Sequence, residues 1–70
     1  MLTPKMLQLY KLMGEYKDRN GYMPSYEEMT DMMGLASKSG INRLICAMEA
    51  RGAIYRLPNQ ARAIRLLPLQ

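Results

Sequence analysis

The sequence predicts one domain that is mainly α-helical, with three helices followed by a small β-hairpin. Apolar residues recur at steps of three and four as far as Gly52, which is the spacing of helices that bury one side. Gly21, Gly34 and Gly52 stand where these helices would end, and glycine readily takes the left-handed conformation just past a last helical turn. Beyond Gly52 the pattern changes to two short apolar runs around a turn, which is typical of a hairpin.

The composition narrows the class of protein. A chain of 70 residues allows one domain, 1–70, and an apolar share of 49% is enough for a core. A single cysteine, Cys46, excludes an internal disulfide and fits a reducing cytoplasm, which is the location we expect. Without histidine the usual ligands of a zinc site are lacking, and we expect no metal or other cofactor. No apolar run is long enough to span a membrane, and the N-terminus lacks the layout of a signal peptide.

The net charge of +4 is unevenly distributed along the chain. Residues 1–35 carry four basic and five acidic side chains, whereas residues 36–70 carry six basic side chains against one acid, Glu49. A basic half is typical of a protein that binds a polyanion. A soluble face that happens to be cationic would give the same counts, so charge alone does not decide the function.

The first helix is predicted to begin at Thr3-Pro4, because threonine is a good cap and proline suits the first helical position. It ends near Gly21. Gly14 within it costs about 1 kcal/mol relative to alanine, which a close crossing by another element would explain. The apolar face of this helix consists of Met6, Leu9, Tyr10, Met13 and Tyr16.

The second helix is short and begins with a capping box, in which Ser25 caps the helix and Glu28 reaches back to the cap. Gly34 ends it, and only a few residues separate it from the next helix. Two helices joined by so tight a glycine-containing turn form a helix-turn-helix arrangement. The candidates for burial are Tyr26, Met29, Met32 and Met33.

The third helix is framed by Ser37, predicted as an N-cap whose hydroxyl accepts a hydrogen bond from the first turn, and by Gly52. At about 100° per residue, one arc of this helix is apolar. It consists of Ile41, Leu44, Ile45 and Met48. The other side, which we call the polar arc, consists of Lys38, Ser39, Asn42, Arg43, Cys46 and Glu49. A hairpin follows, with strands predicted at 53–57 and 61–66 and a turn at 58–60.

The ordered set of motifs resembles the N-terminal DNA-binding domain of the LexA repressor family, a winged helix-turn-helix. The residues that carry the resemblance extend from the first helix to the end of the hairpin. They are Leu2-Thr3, Met23-Pro24-Ser25, Glu28-Met29, Gly34-Leu35, Ser37, Arg51-Gly52 and residues 62–67.

The resemblance implies a three-helix core with a two-stranded wing, and a third helix that enters the major groove of DNA. The family positions that meet DNA there fall on Ser37, Ser39, Gly40, Asn42 and Arg43. The last three replace a small residue and two acids typical of the repressor, so we do not expect the same operator to be read. The self-cleaving protease domain of the family, which also dimerises the repressor, is missing from these 70 residues.

The residues themselves favour the same function. Asn and Arg side chains can make bidentate contacts to adenine and guanine edges, and Asn42 and Arg43 are adjacent on the polar arc, with Lys38 one turn earlier. On the hairpin, basic and polar side chains would lie by phosphates and carry little sequence information. We assign this role to Arg56, Asn59, Arg62 and Arg65. We therefore predict a sequence-specific binder of double-stranded DNA that acts as a transcriptional regulator, more as a repressor than as an activator.

Two alternatives stay open at this point. The polar arc alone would also fit an ordinary solvated helix face. A winged helix can instead dock on a protein, such as RNA polymerase or another regulator, and exposed methionines would favour that function. We expect no enzyme, because the sequence has no histidine, no glycine-rich phosphate loop and no nucleophile with a base nearby. For Cys46 a small side chain near the groove is preferred to a redox sensor, since no second cysteine could resolve an oxidised thiol.

No heptad seam or long C-terminal helix offers a dimerisation element. We therefore expect a monomer in free solution, with any dimer weak or formed only on DNA, and no membrane partner.

Overall fold

The computed structural model describes residues 2–57 and 64–68, and these ranges contain three α-helices and one two-stranded sheet. The helices are α1 (Pro4–Asn20), α2 (Tyr26–Met33) and α3 (Lys38–Ala50), and the strands are β1 (Ile54–Arg56) and β2 (Ile64–Leu66). The prediction of a mainly helical chain with a small hairpin is confirmed. The predicted turn at 58–60, and the part of the predicted second strand at 61–63, lie outside the described residues.

The ends of α1 follow the local signals in the sequence. The Thr3 side chain accepts a hydrogen bond from the Met6 N–H at 3.3 Å, and Pro4 occupies the first helical position. Gly21 ends the helix with φ of 82°, and its N–H donates to the Lys17 carbonyl. A residue with a Cβ is strained at this φ, which is why glycine stands there.

The ends of α2 also match their prediction. The Glu28 N–H donates to Ser25 Oγ at 3.1 Å, and the Ser25 N–H donates to Glu28 Oε1 at 2.8 Å. This reciprocal pair is the predicted capping box. Gly34 ends the helix with φ of 68°.

The core lies where the three helices and the inner side of the hairpin meet. Its buried apolar residues are Met6, Leu9, Met13, Met23, Met29, Ile41, Ile45, Met48, Ala53, Ile54 and Ile64. Of the four residues predicted to be buried on α2, only Met29 is; Tyr26, Met32 and Met33 are half-buried. A helix of 8 residues has little more than two turns, so only a few of its side chains can face the core. Thr30 is buried instead, and its hydroxyl donates to the Tyr26 carbonyl at 2.8 Å.

The hairpin is antiparallel, with Ile54 opposite Leu66 and Tyr55 opposite Arg65. Successive residues of a strand point to opposite faces, so burial of Ile54 exposes its neighbour Tyr55. The Leu67 carbonyl accepts a hydrogen bond from the Tyr10 hydroxyl at 2.7 Å. This bond ties the end of β2 to α1, while β1 packs against α3.

Gly14 gives the first test of this packing. A Cβ at position 14 would lie 3.6 Å from Leu66 Cδ1, which is ordinary van der Waals contact, so the hairpin does cross this part of α1 but leaves room for a methyl group. We expect Gly14→Ala to raise the free energy of unfolding by about 0.5–1 kcal/mol, because alanine is the better helix former. Urea unfolding measures the change. Gly21→Ala is the matched control and should lower stability by about 1–2 kcal/mol, since its φ is left-handed. A loss of stability in Gly14→Ala would show that the hairpin packs too closely on α1 to admit a methyl group.

Candidate nucleic-acid interface

The rotation of α3 about its own axis is fixed by three side chains that are entirely buried. Ile41, Ile45 and Met48 each have 0% exposure, and the fourth predicted member of the apolar arc, Leu44, is half-buried. Residues three and four apart share one face of a helix, so burying this face turns the opposite one outward. Five members of the polar arc are exposed, and the sixth, Glu49, is half-buried.

The turn before α3 is short and closely packed. The Gly34 N–H donates to the Asp31 carbonyl at 3.1 Å, and the Leu35 N–H donates to the Thr30 carbonyl at 3.0 Å. A Cβ at Gly40 would lie 3.2 Å from Leu35 Cδ1, which is tighter than most such contacts. Gly40 is half-buried, and a side chain at this position, which is predicted to meet DNA, would require Leu35 to shift by a few tenths of an ångström.

Ser37 is the N-cap of α3, as predicted, but its side chain makes no capping hydrogen bond. That part of the prediction is wrong. The reason lies in the backbone: Thr3 and Ser25, whose side chains do cap, have φ of −70° and −73°, whereas Ser37 has φ of −152°. The helix therefore leaves the Ser37 hydroxyl unused. It lies at the exposed start of α3, beside Lys38 and Ser39.

Four exposed residues of α3 lie next to one another on the polar arc, because each is three or four positions from two of the others: Ser39, Asn42, Arg43 and Cys46. The Cys46 thiol donates a long, weak hydrogen bond to Asn42 Oδ1 at 3.9 Å. The amide of Asn42 offers two donors and an acceptor, and the guanidinium of Arg43 offers five donors. This row can match the mixed donors and acceptors of base edges.

The two hairpin arginines in the described ranges have different surroundings. Arg65 is exposed and lies opposite Tyr55, on the outer side of the sheet. Arg56 is half-buried, and its Nε and Nη2 atoms donate to Glu49 Oε1 at 3.1 and 2.9 Å. Its Nη1 donates to the Tyr26 hydroxyl at 3.3 Å. The hydrogen bonds that Arg56 donates to Glu49, and secondarily to Tyr26, raise the pKa of Arg56 above its ordinary value.

Sequence reasoning missed this pairing of Arg56. One signal pointed to it, since Glu49 is the one acid among residues 36–70 and so the natural partner for a nearby arginine. The other two predicted hairpin contacts, Asn59 and Arg62, lie outside the described residues.

The described residues bring together no group of three or more His, Cys, Asp or Glu side chains that could hold a metal ion. None of the helices within residues 2–57 and 64–68 is both long and apolar enough to cross a membrane.

A comparison with known protein families adds an independent finding. Residues 1–63 match the model of the family described as the LexA DNA binding domain. The match covers all three helices and β1, and with them the whole polar arc. The resemblance noted in the sequence is confirmed.

The difference between the two serine caps can be tested by stability. Ser25→Ala removes half of a capping box and should lower the free energy of unfolding by about 1 kcal/mol. Ser37→Ala removes a hydroxyl that caps nothing, and its effect should stay within about 0.5 kcal/mol. Thermal or urea unfolding of the two variants side by side measures this. An equal loss in both would mean that Ser37 caps α3 after all.

Proposed function

The chain belongs to the LexA DNA-binding domain family, and we propose that residues 1–70 form one winged helix-turn-helix domain that reads specific sequences of double-stranded DNA. Membership of this family supports a DNA-binding regulator of transcription. The domain type of the family is not catalytic. Our proposal adds that it acts as a repressor, in the cytoplasm, by occupying its site. The observation that carries the proposal is a polar arc with five exposed members, on a helix whose opposite side buries Ile41, Ile45 and Met48 completely.

In this proposal α3 enters the major groove. The groove is about 12 Å wide and admits one helix. Asn42 can bind an adenine through its N6 and N7 atoms, and Arg43 can bind a guanine through O6 and N7. Ser37, Lys38 and Ser39 at the start of α3 then lie where the helix approaches the backbone, and exposed N–H groups at a helix N-terminus favour phosphate.

The hairpin serves as the wing and contacts the phosphate backbone. Arg65 supports this role because it is exposed on the outer side of the sheet. For Asn59 and Arg62 the support is their position in the sequence between the two strands, together with the family match, which reaches residue 63. Such contacts fix the position of the domain on the duplex and contribute to affinity for any sequence.

A protein-docking function has less support. Exposed methionines would have favoured it, but of the seven methionines in the described ranges five are buried and two are half-buried. Most of the described methionines therefore fill the core, and none of them is exposed as an adaptable binding surface would require. RNA polymerase or another regulator remains a proposed additional partner of a DNA-bound domain.

Selection from a random duplex library tests the proposal. The wild-type protein should select one short motif, and Asn42→Ala and Arg43→Ala should each relax the preference at one position, because a bidentate contact discriminates by about 1–3 kcal/mol. Lys11→Ala is the matched control: it removes one exposed charge from α1 and should leave the motif unchanged. Selection of no motif by the wild type would contradict sequence-specific binding. An unchanged motif in either α3 variant would show that the substituted residue does not contact a base.

The state of assembly is a separate prediction. We expect these 70 residues to sediment as a monomer at low micromolar concentration without DNA, because the sequence offers no dimerisation element. Helix-turn-helix proteins gain affinity by pairing on two half-sites, so a titration on a two-site duplex should be steeper than on a one-site duplex. A stable dimer in the absence of DNA would contradict the monomer. If the protein binds a one-site duplex only when a protein partner is added, recruitment by that partner is favoured over cooperative binding at two half-sites.

A further inference from the structure

The guanidinium of Arg56 joins three elements of the fold. Arg56 lies at the end of β1, Glu49 lies in the last turn of α3, and Tyr26 is the first residue of α2. Two nitrogens of the guanidinium donate to one oxygen of Glu49, and a third donates to the Tyr26 hydroxyl. All five N–H donors of arginine belong to one rigid plane, so these bonds restrain the direction in which β1 leaves α3.

Glu49 occupies a sensitive position for a DNA-binding surface. It is the sixth member of the polar arc and lies seven residues after Asn42, about two helical turns or 10 Å along the same side of α3. An unpaired carboxylate there would repel a phosphate backbone. The side chains of Glu49 and Arg56 are 37% and 36% exposed, so each is accessible enough to meet DNA if the other were absent.

We propose that Arg56 is a positioning residue, which holds the hairpin against the end of α3 and covers the charge of Glu49, and that it is not a phosphate contact. This inference rests on the proposed binding of DNA through α3 and the hairpin. It replaces the role that the sequence alone assigned to Arg56. In this view the specificity of the domain depends on a pair of side chains that touch neither base nor backbone.

The double variant Glu49→Ala with Arg56→Ala separates the two roles, because it removes the pair and leaves the net charge unchanged. If Arg56 positions the hairpin, the ratio of affinity for the selected site to that for random duplex should fall roughly two- to fivefold, as fits a partly exposed pair. The slope of log affinity against log salt should stay as in the wild type. If Arg56 were a phosphate contact, the slope would instead become less steep by close to one, and the ratio would stay unchanged.

Arg65→Ala is the matched control on the same hairpin. Arg65 is exposed and points to the opposite face of the sheet from Arg56. Its loss should make the salt dependence less steep by close to one, with no change in the ratio of specific to random affinity. Binding is measured well below the unfolding temperature of every variant, so that lost stability does not appear as lost affinity.

A measurement without DNA keeps this inference distinct from the proposed function. Amide hydrogen exchange in β1 and β2 should be several-fold faster in the double variant than in the wild type, while exchange in the middle of α1 stays the same. If the wild type binds no DNA sequence specifically, the proposed function fails and the exchange result alone decides whether Arg56 restrains the hairpin. The inference would be overturned by unchanged amide exchange in the hairpin, or by a salt dependence that is less steep by one in the double variant.

Discussion

The burial of one side of α3 is the constraint on which the rest of the interface depends. With Ile41, Ile45 and Met48 removed from water, rotating α3 would expose these side chains, and each is worth about 1.5–3 kcal/mol of burial. The helix therefore cannot turn to hide the polar arc. The turn at Gly34 and Leu35 leads directly into α3, and a Cβ at Gly40 would lie close to the Leu35 side chain.

The directions of the hairpin side chains follow from the same principle, with the two-residue period of a strand in place of the period of a helix. Because Ile54 and Ile64 are buried, the residues next to them on each strand point outward. This puts Arg65 on the outer side of the sheet and Arg56 on the side that meets Glu49. Two arginines that look equivalent in the sequence thus have different partners, and the basic half of the chain does not offer all of its charge to a ligand.

Much of the fold can be predicted from the sequence because its signals are local. A cap at Thr3, a capping box at Ser25 and left-handed glycines depend on residues within about four positions of each other. The polar arc was likewise predictable from the helical period. The pairing of Arg56 was not, since it joins residues 30 and 7 positions apart on different elements. Ser37 shows a further limit: its position as cap was predictable, whereas its φ of −152° and the missing capping hydrogen bond were not.

The claim that α3 presents the polar arc to DNA is tested most directly by mapping the contact surface in solution. NMR spectra of isotope-labelled protein would be recorded while a duplex carrying the selected motif is added. Binding through α3 should give the largest shift changes at the side chains of Asn42 and Arg43 and at the first turn of α3, with little change at the exposed acids Glu27 and Asp31 of α2. Largest changes on α2, with the polar arc unaffected, would contradict it.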